Sequence, residues 1–128
     1  AAGVHLGQTD LPCSEARRIL GAEKIIGVSA ATPEEAAKAQ SDGADYLGVG
    51  AVFATSTKTN TRSVTAETIR AIRSAVDIPF VVIGGINSEN ISGLHGLGIN
   101  GAAVISAIIS QPDITAAARK MRQAAERL

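Results

Sequence analysis

Aromatic residues are scarce in this chain of 128 residues: it has no tryptophan, and Tyr46, Phe53 and Phe80 make up 2% of it. Proteins that bind single-stranded nucleic acids stack the bases on aromatic side chains. An excess of one charge is also missing, because twelve basic residues balance twelve acidic ones. We therefore expect neither a nucleic acid nor a membrane surface as a partner.

Cysteine and long apolar runs are scarce as well. Cys13 is the single cysteine, which excludes an internal disulfide bond and a cysteine-based metal cluster. Apolar runs such as residues 79–83 are too short to cross a bilayer, and the sequence does not open on a secretion signal. We expect a soluble, cytoplasmic protein.

Apolar runs alternate with amphipathic stretches along the whole chain, which predicts strands and helices in turn within a single domain, 1–128. The predicted strands are residues 4–7, 24–29, 46–50, 80–84 and 102–106. The predicted helices are residues 14–20, 33–42, 66–76, 88–97 and 113–128. Thr32, Thr65 and Asp113 are expected to cap three helices, and Gly43 and Gly98 to end two in the left-handed conformation.

Strands that are apolar throughout and alternate with helices predict a parallel sheet. Two architectures contain such a sheet: an open doubly wound fold and a stretch of a (β/α)8 barrel. The length of the chain favours the open sheet, because a barrel usually takes at least about 200 residues.

Small and polar residues follow the predicted strands, at the edge where both architectures bind ligands. They are Gln8 and Asp10 after the first strand, Ser29 in the second, Gly84 and Gly85 in and after the fourth, and Ser106 in the fifth. Turns also use these residue types, so their clustering is compatible with a binding site and with ordinary turns.

The segment after the third strand is long and carries many hydroxyls together with Lys58 and Arg62, and no acidic residue before Glu67. Hydroxyls and cations without a carboxylate suit a phosphate or pyrophosphate, and a disordered polar loop is the alternative. The Gly84–Gly85 pair lets backbone amides approach an anion, or forms only a tight turn.

Asp10 has two interpretations: a ligand of Mg²⁺, which prefers one or two carboxylates plus phosphate oxygens, or the cap of the helix near Ser14. His5 and His95 have no carboxylate at a metal-ligand spacing, so both are predicted to be structural and zinc is not expected.

Taken together, these segments resemble the thiamine-phosphate synthase (thiamine-phosphate pyrophosphorylase) family, which folds as a (β/α)8 TIM barrel. The matching segments are Gly3-Val-His-Leu-Gly-Gln-Thr-Asp10, Ile26-Gly-Val-Ser29-Ala30, Asp42-Gly-Ala-Asp-Tyr-Leu-Gly-Val-Gly50, Thr55-Ser-Thr-Lys58, Ile83-Gly-Gly-Ile86 and Ala103-Val-Ile-Ser-Ala-Ile108. The resemblance covers the C-terminal part of the family, from about barrel strand four to helix eight. It implies a partial barrel of about five consecutive βα units.

The resemblance also implies a transferase that joins an aminopyrimidine diphosphate to a thiazole phosphate, giving thiamine phosphate and pyrophosphate. Asp10 would hold Mg²⁺, while Ser29 and Lys58 would be the catalytic contacts to the pyrimidine diphosphate, with Lys58 stabilising the departing charge. The other substrate-binding residues would be Gln8, and, around the thiazole phosphate, Thr55, Ser56, Thr57, Gly84, Gly85, Ile105 and Ser106.

Departures from the family pattern leave alternatives open. Ala31 stands where many relatives have histidine, and Ala51 and Ala54 stand where they commonly have proline. A related thiazole tautomerase depends on a histidine at the position of Ala31, which disfavours that isomerase. A non-catalytic phosphate-binding half barrel is the other alternative. Five strands would leave both sheet edges open, so we expect a homo-oligomer or pairing with an N-terminal half.

Overall fold

The structure is a computed structural model, and it describes residues 1–53 and 63–128. Its strands are β1 (Gly3–Leu6), β2 (Ile25–Ala30), β3 (Tyr46–Gly50), β4 (Phe80–Ile83) and β5 (Gly101–Ala103). Its helices are α1 (Cys13–Leu20), α2 (Pro33–Ser41), α3 (Ala66–Ala75), α4 (Ser106–Ile109) and α5 (Ile114–Ala125), with a 3-10 helix at Ile91–Leu94.

The five strands form one parallel sheet in chain order, β1-β2-β3-β4-β5. A doubly wound sheet reverses its strand order at a switch point, and this sheet does not. Consecutive right-handed βα units in chain order form an arc of a barrel. The expectation of an open doubly wound sheet, which the chain length favoured, is therefore wrong. The two architectures differ in the order of their strands, and the length of the chain carries no information about that order.

The helices cover one face of the sheet. Alternate strand side chains, among them Leu47, Phe80 and Val82, are fully buried with Ile69 and Ile72 of α3 in one hydrophobic cluster. Full burial of a side chain of this size contributes roughly 1.5–3 kcal/mol.

The other face of the sheet, called the inner face below, carries the side chains between those in the core. Ile25 and Ile83 lie on the inner face and remain 51% and 40% exposed. A doubly wound sheet would have helices on this face as well. The one-sided covering therefore agrees with the barrel arrangement.

Local capping confirms three predicted helix starts. Thr32, Thr65 and Asp113 each accept a hydrogen bond from the backbone amide three residues ahead, at 3.1, 3.2 and 2.9 Å. Gly43 follows the end of α2 with a φ of 94°, as the predicted left-handed end requires, whereas Gly98 has a φ of 73° but ends no helix. These features depend on neighbours in the chain, and local sequence therefore predicts them well.

The predicted helix at 88–97 is wrong. The structure has only the short 3-10 helix there. The side chain of Asn87 accepts hydrogen bonds from the amides of Glu89 and Asn90, which holds the chain in a turn. Gly96 and Gly98 both have positive φ, so the chain leaves the right-handed conformation directly after the 3-10 helix.

The predicted strand at 102–106 is too long at its carboxyl end. β5 stops at Ala103, whose partner Ile83 is the last residue of β4, so no further ladder pairing is available. Gly84 leaves β4 with a φ of 107°. Ser106, predicted to end the strand, is instead the first residue of α4.

None of the helices formed by residues 1–53 and 63–128 is long and apolar enough to span a membrane.

Candidate active site

The sheet gathers the predicted site residues at its carboxyl edge, which is called the rim below. The strands are parallel, so the segments that follow them lie along one edge. The described site residues on the rim are Gln8, Asp10, Ser29, Gly84, Gly85, Ile105 and Ser106. Parallel pairing therefore places all of them at one edge, as the sequence predicts.

Ser29 is the most connected residue of the rim. The Gln8 side chain donates from Nε2 to the Ser29 carbonyl oxygen at 2.6 Å. The Ser29 hydroxyl lies 2.9 Å from Nε2 of His5. Two residues predicted to bind substrate are thus joined directly, and both ends of Ser29 are held by β1 and the turn that follows it.

His5 and Tyr46 belong to the same cluster, although the sequence analysis assigned His5 a structural role and Tyr46 none. Nδ1 of His5 lies 2.9 Å from the Tyr46 hydroxyl, and the two ring centroids are 5.6 Å apart. These residues are 41 positions apart in the chain. The available signal was a pair of glycines, Gly27 and Gly48, on the strands beside them, since a missing side chain in a strand leaves room for a neighbour.

Asp10 closes the turn after β1. Its Oδ2 accepts from the Gly7 amide at 2.7 Å, and its own amide donates to the Gly7 carbonyl at 3.3 Å. Pro12 occupies the N-cap position of α1 and no side chain caps that helix, so the prediction that Asp10 caps it is wrong. The Asp10 carboxylate bonds to the Gly7 amide, before it in the chain, and not to an amide of α1. Asp10 is exposed on the rim.

The donor set at Asp10 fits Mg²⁺ only as part of a larger set of ligands. Within residues 1–53 and 63–128, no three His, Cys, Asp or Glu side chains come together as a metal cluster. Mg²⁺ is commonly bound by one or two carboxylates together with ligand phosphates and waters. One exposed carboxylate on a rim that suits phosphates meets that requirement.

The Gly84–Gly85 turn has a shape that requires glycine. Its φ angles are 107° and 61°, and a Cβ atom at Gly84 would come within 2.7 Å of the Ala51 Cβ. The Gly84 carbonyl accepts from the Phe53 amide at 3.1 Å, and the Gly85 carbonyl accepts from Asn90 Nδ2 at 2.9 Å. Both carbonyls are thus engaged within the protein, which holds the turn in one conformation beside the rim.

Asn90 is a supporting residue that the sequence analysis missed. Its Oδ1 accepts from the Asn87 amide at 2.8 Å while its Nδ2 holds Gly85. An asparagine inside a predicted helix gives no sign of this role.

Ile105 and Ser106 lie at the start of α4, and both are exposed. Because β5 pairs with β4, this segment follows the strand next to the one that leads into the Gly84–Gly85 turn. The structure thus puts the two segments predicted to bind the thiazole phosphate after neighbouring strands.

The predicted residues Thr55, Ser56, Thr57 and Lys58 lie outside the described residues. The described residues on either side of this segment are at the rim: Phe53 bonds to Gly84, and the Val64 amide donates to the Ala51 carbonyl at 2.7 Å. Phe53 is therefore next to the Gly84–Gly85 turn, and Val64 is bonded to Ala51.

Two titratable groups have displaced pKa values, and neither is among the predicted site residues. Burial is the main cause of the raised pKa of the Cys13 thiol in α1, so this group stays protonated at neutral pH and is not a ready nucleophile. The pKa of Asp45, just before β3, is lowered mainly by a hydrogen bond from the Ile26 amide and further by Arg17.

A parallel sheet in chain order, helices on one face and polar turns at the carboxyl edge define the class of (β/α)-barrel proteins that bind ligands at that edge. Comparison with a solved structure agrees. Thiamine phosphate pyrophosphorylase from Pyrococcus furiosus matches with a TM-score of 0.88 and 41% identity, over 98% of this chain and 60% of that one.

Sequence comparisons identify the family. The family model for thiamine monophosphate synthase matches residues 1–108. The thiamine-phosphate synthase of Moorella thermoacetica is 53% identical over 128 residues, 99% of this chain and 61% of the relative. That of Ruminiclostridium cellulolyticum is 55% identical over 121 residues, 94% of this chain and 58% of the relative.

The chain therefore belongs to the thiamine monophosphate synthase family, and the resemblance seen in its motifs is confirmed. It spans about three fifths of the length of these curated relatives.

Proposed function

We propose that the protein carrying this chain is a thiamine-phosphate synthase. It would couple 4-amino-2-methyl-5-(diphosphooxymethyl)pyrimidine with a thiazole phosphate, giving thiamine phosphate and pyrophosphate. The observation that carries the proposal is the 53% identity to a thiamine-phosphate synthase over 128 residues. The gathering of Gln8, Asp10, Ser29 and the Gly84–Gly85 turn at one rim supports it.

The chemistry depends on neutralising charge. A diphosphate leaves readily only when its developing negative charge is stabilised, and the electron-rich pyrimidine can then depart as a methylene cation that the thiazole nitrogen captures. Such a substitution needs no nucleophile from the protein. The chain fits this requirement, because its single cysteine is buried with a raised pKa.

Each rim residue has a part in this proposal. Asp10 would hold Mg²⁺, which when bound supplies positive charge against the diphosphate. Gln8 and Ser29 would position the pyrimidine diphosphate, and Lys58 would add a cation near the leaving group. The thiazole phosphate would lie against the Gly84–Gly85 turn and the Ile105–Ser106 segment, with Thr55, Ser56 and Thr57 contributing hydroxyls.

The test is turnover with both substrates and Mg²⁺, using the protein at the full length that its gene encodes. We expect Lys58→Ala to lower kcat by about 100-fold, as removal of a charge-stabilising group does, with little change in KM for the thiazole phosphate. The control is Lys120→Ala, on an exposed position of α5, which should retain full activity. Equal losses in kcat and in thiazole phosphate binding would reassign Lys58, and no turnover by the unchanged protein would refute the synthase.

A non-catalytic half barrel is the second candidate, and the uncovered inner face favours it for the 128 residues in isolation. Ile25 and Ile83 are exposed there, and an open cavity of about 300 Å³ lies on the same face against Ile25, His5 and Tyr46. We expect the isolated 128 residues to show little or no turnover. Full activity from a purified monomer of this length would contradict that expectation.

The same exposure supports a proposal about assembly. β1 and β5 are the edges of the described sheet, and unpaired edges next to an uncovered apolar face favour further pairing. We propose that the sheet is completed by a second copy of the chain or by an N-terminal half.

A cytoplasmic location stays a prediction.

A further inference from the structure

Two glycines on the inner face leave space for side chains of neighbouring strands to extend over them. His5, Gly27 and Tyr46 are in register on β1, β2 and β3. A Cβ atom at Gly27 would collide with the ring and hydroxyl of Tyr46. Only glycine at this position lets the Tyr46 ring extend across β2 toward His5.

The second glycine does the same for the imidazole. Gly48 pairs with Ser29 in the register of β2 and β3, and a Cβ atom at Gly48 would lie 3.0 Å from Cε1 of His5. The imidazole therefore extends over Gly48 and reaches the Ser29 hydroxyl at 2.9 Å. His5 is held on both sides, because its other nitrogen contacts Tyr46 at 2.9 Å.

The hydrogen atoms in this chain of contacts decide what Ser29 presents at the rim. A neutral imidazole carries one N–H, so one of its nitrogens donates and the other accepts. If Nδ1 carries the proton, Nε2 accepts the Ser29 hydroxyl proton, and Ser29 offers the rim only lone pairs. If Nε2 carries it, Nε2 donates to the Ser29 oxygen and the hydroxyl proton remains available for a ligand.

We propose that His5 is a positioning residue in the second of these states. The Tyr46 hydroxyl donates to Nδ1, which keeps the proton on Nε2, and Nε2–H directs the Ser29 hydroxyl proton toward an anionic oxygen of the ligand at the rim. This inference deepens the proposed function, since it rests on Ser29 binding a phosphorylated substrate. It assigns a role to His5 and Tyr46, which among the described residues are linked to the rim through Ser29.

The first measurement reads the tautomer directly, by long-range ¹H–¹⁵N NMR of the histidine rings in the protein at the full length that its gene encodes. A His5→Gln variant assigns the His5 signals, because those signals are the ones it removes. We expect the Nε2–H form of His5 in the unchanged protein and a mixture of both forms in Tyr46→Phe, whose ring still covers Gly27. The Nδ1–H form in the unchanged protein, or an unaltered tautomer in Tyr46→Phe, would overturn the proposal.

The second measurement is a double-mutant cycle on turnover. Tyr46→Phe should lower kcat about fivefold in the unchanged background, the size of effect that loss of one hydrogen bond produces. In a Ser29→Ala background the same change should cost less than about twofold, because His5 then has no hydroxyl to direct. A purely structural role for Tyr46 would cost the same in both backgrounds, and equal losses would therefore refute the positioning role.

The two measurements separate this inference from the proposed function. A protein without synthase turnover refutes the proposed function, whereas the tautomer of His5 is still read by NMR. His95→Gln is the matched control for turnover, because His95 is an exposed residue at the end of the 3-10 helix and lies on none of the strands that carry the cluster. This variant should keep full activity.

Discussion

At the scale of single residues, Arg17 ties together the edge of the sheet opposite the rim. Its guanidinium donates to the carbonyl oxygens of Gly21, Lys24 and Gly43, and to the carboxylate of Asp45 at 2.6 Å. Its side chain is 22% exposed, so these bonds are partly shielded from water. One side chain thus joins α1 to the loops that lead into β2 and β3.

We expect Arg17→Met to lower the free energy of unfolding by roughly 2 kcal/mol, because the part-buried Gly43 carbonyl and two more exposed carbonyls lose a charged donor. Arg18→Met is the matched control on the same helix. Arg18 is 72% exposed and pairs only with Glu15 at i,i+3 in the described structure, so its loss should cost less than about 0.5 kcal/mol. Urea unfolding measures both, and similar losses would show that the Arg17 contacts add little.

The lowered pKa of Asp45 predicts a contribution to stability that is lost in acid. Its carboxylate accepts from the Ile26 amide at 2.7 Å, which lowers its pKa, and the Arg17 guanidinium lowers it further. A carboxyl whose pKa is lower in the folded state contributes stability above its unfolded pKa of about 3.9. That contribution is lost as the pH falls through the folded pKa.

We therefore expect the unfolding free energy of Asp45→Asn to fall less steeply below about pH 4 than that of the unchanged protein. The control is Glu23→Gln, at an exposed position in the turn before β2. It should leave the pH dependence of the unfolding free energy unchanged. Identical pH profiles for all three proteins would exclude Asp45 as a source of the acid dependence.

At the scale of elements, the turn after β4 shows how a loop is given one shape. Asn90 bonds to Gly85, and Asn100 accepts from the Phe80 amide at 3.1 Å at the other end of the same strand. Two asparagines thus fix the two ends of β4, but only Asn90 lies next to the turn proposed to bind phosphate.

We expect Asn90→Ala to raise the KM for thiazole phosphate about tenfold, because the Gly84–Gly85 turn loses the bond that holds it. Asn100→Ala should lower stability by a comparable amount without changing that KM. Steady-state turnover at varied thiazole phosphate gives the KM of both variants, and urea unfolding gives their stabilities. A KM that rises equally in the two would indicate general destabilisation and not a specific role for Asn90.

The elements also show which sequence signals are dependable. Thr32, Thr65 and Asp113 cap helices as predicted, because a capping hydrogen bond joins residues three positions apart. The segment 88–97 has apolar residues at helical spacing, yet side-chain bonds from Asn87 and the glycines after it compete with the helix. Periodicity alone does not weigh these competing bonds.

At the scale of the whole molecule, the sheet is covered by helices on one face only. Ile83 lies on the uncovered inner face at 40% exposure, and both sheet edges are unpaired in the described structure. Apolar surface beside open strand edges favours association.

We expect the isolated 128-residue chain to sediment as an oligomer, and Ile83→Lys to shift it toward monomer because a charge on the inner face opposes burial. Gln123→Lys, at an exposed position of α5, is the control and should leave the distribution unchanged. A stable monomer of the unchanged chain in sedimentation velocity would contradict self-association and leave an N-terminal half as the proposed partner.

Sequence alone determined the features that depend on near neighbours and on residue type. It predicted the five strands within a few residues, the helix caps, and the family, whose motifs occur in order along the chain. The sequence also predicted that the candidate site residues after the strands share one edge of the sheet, because parallel strands bring their carboxyl ends to one edge.

Only the tertiary structure decided the architecture and the cluster around Ser29. Alternating strands and helices imply parallel pairing of the strands. The same alternation is compatible with a doubly wound sheet and with a barrel, and these two differ in strand order and in whether helices cover one face or both. His5 reaches Ser29 and Tyr46 across 24 and 41 positions of chain, through space left by Gly27 and Gly48. Such contacts depend on strand register, and register is set by the packing of the whole sheet.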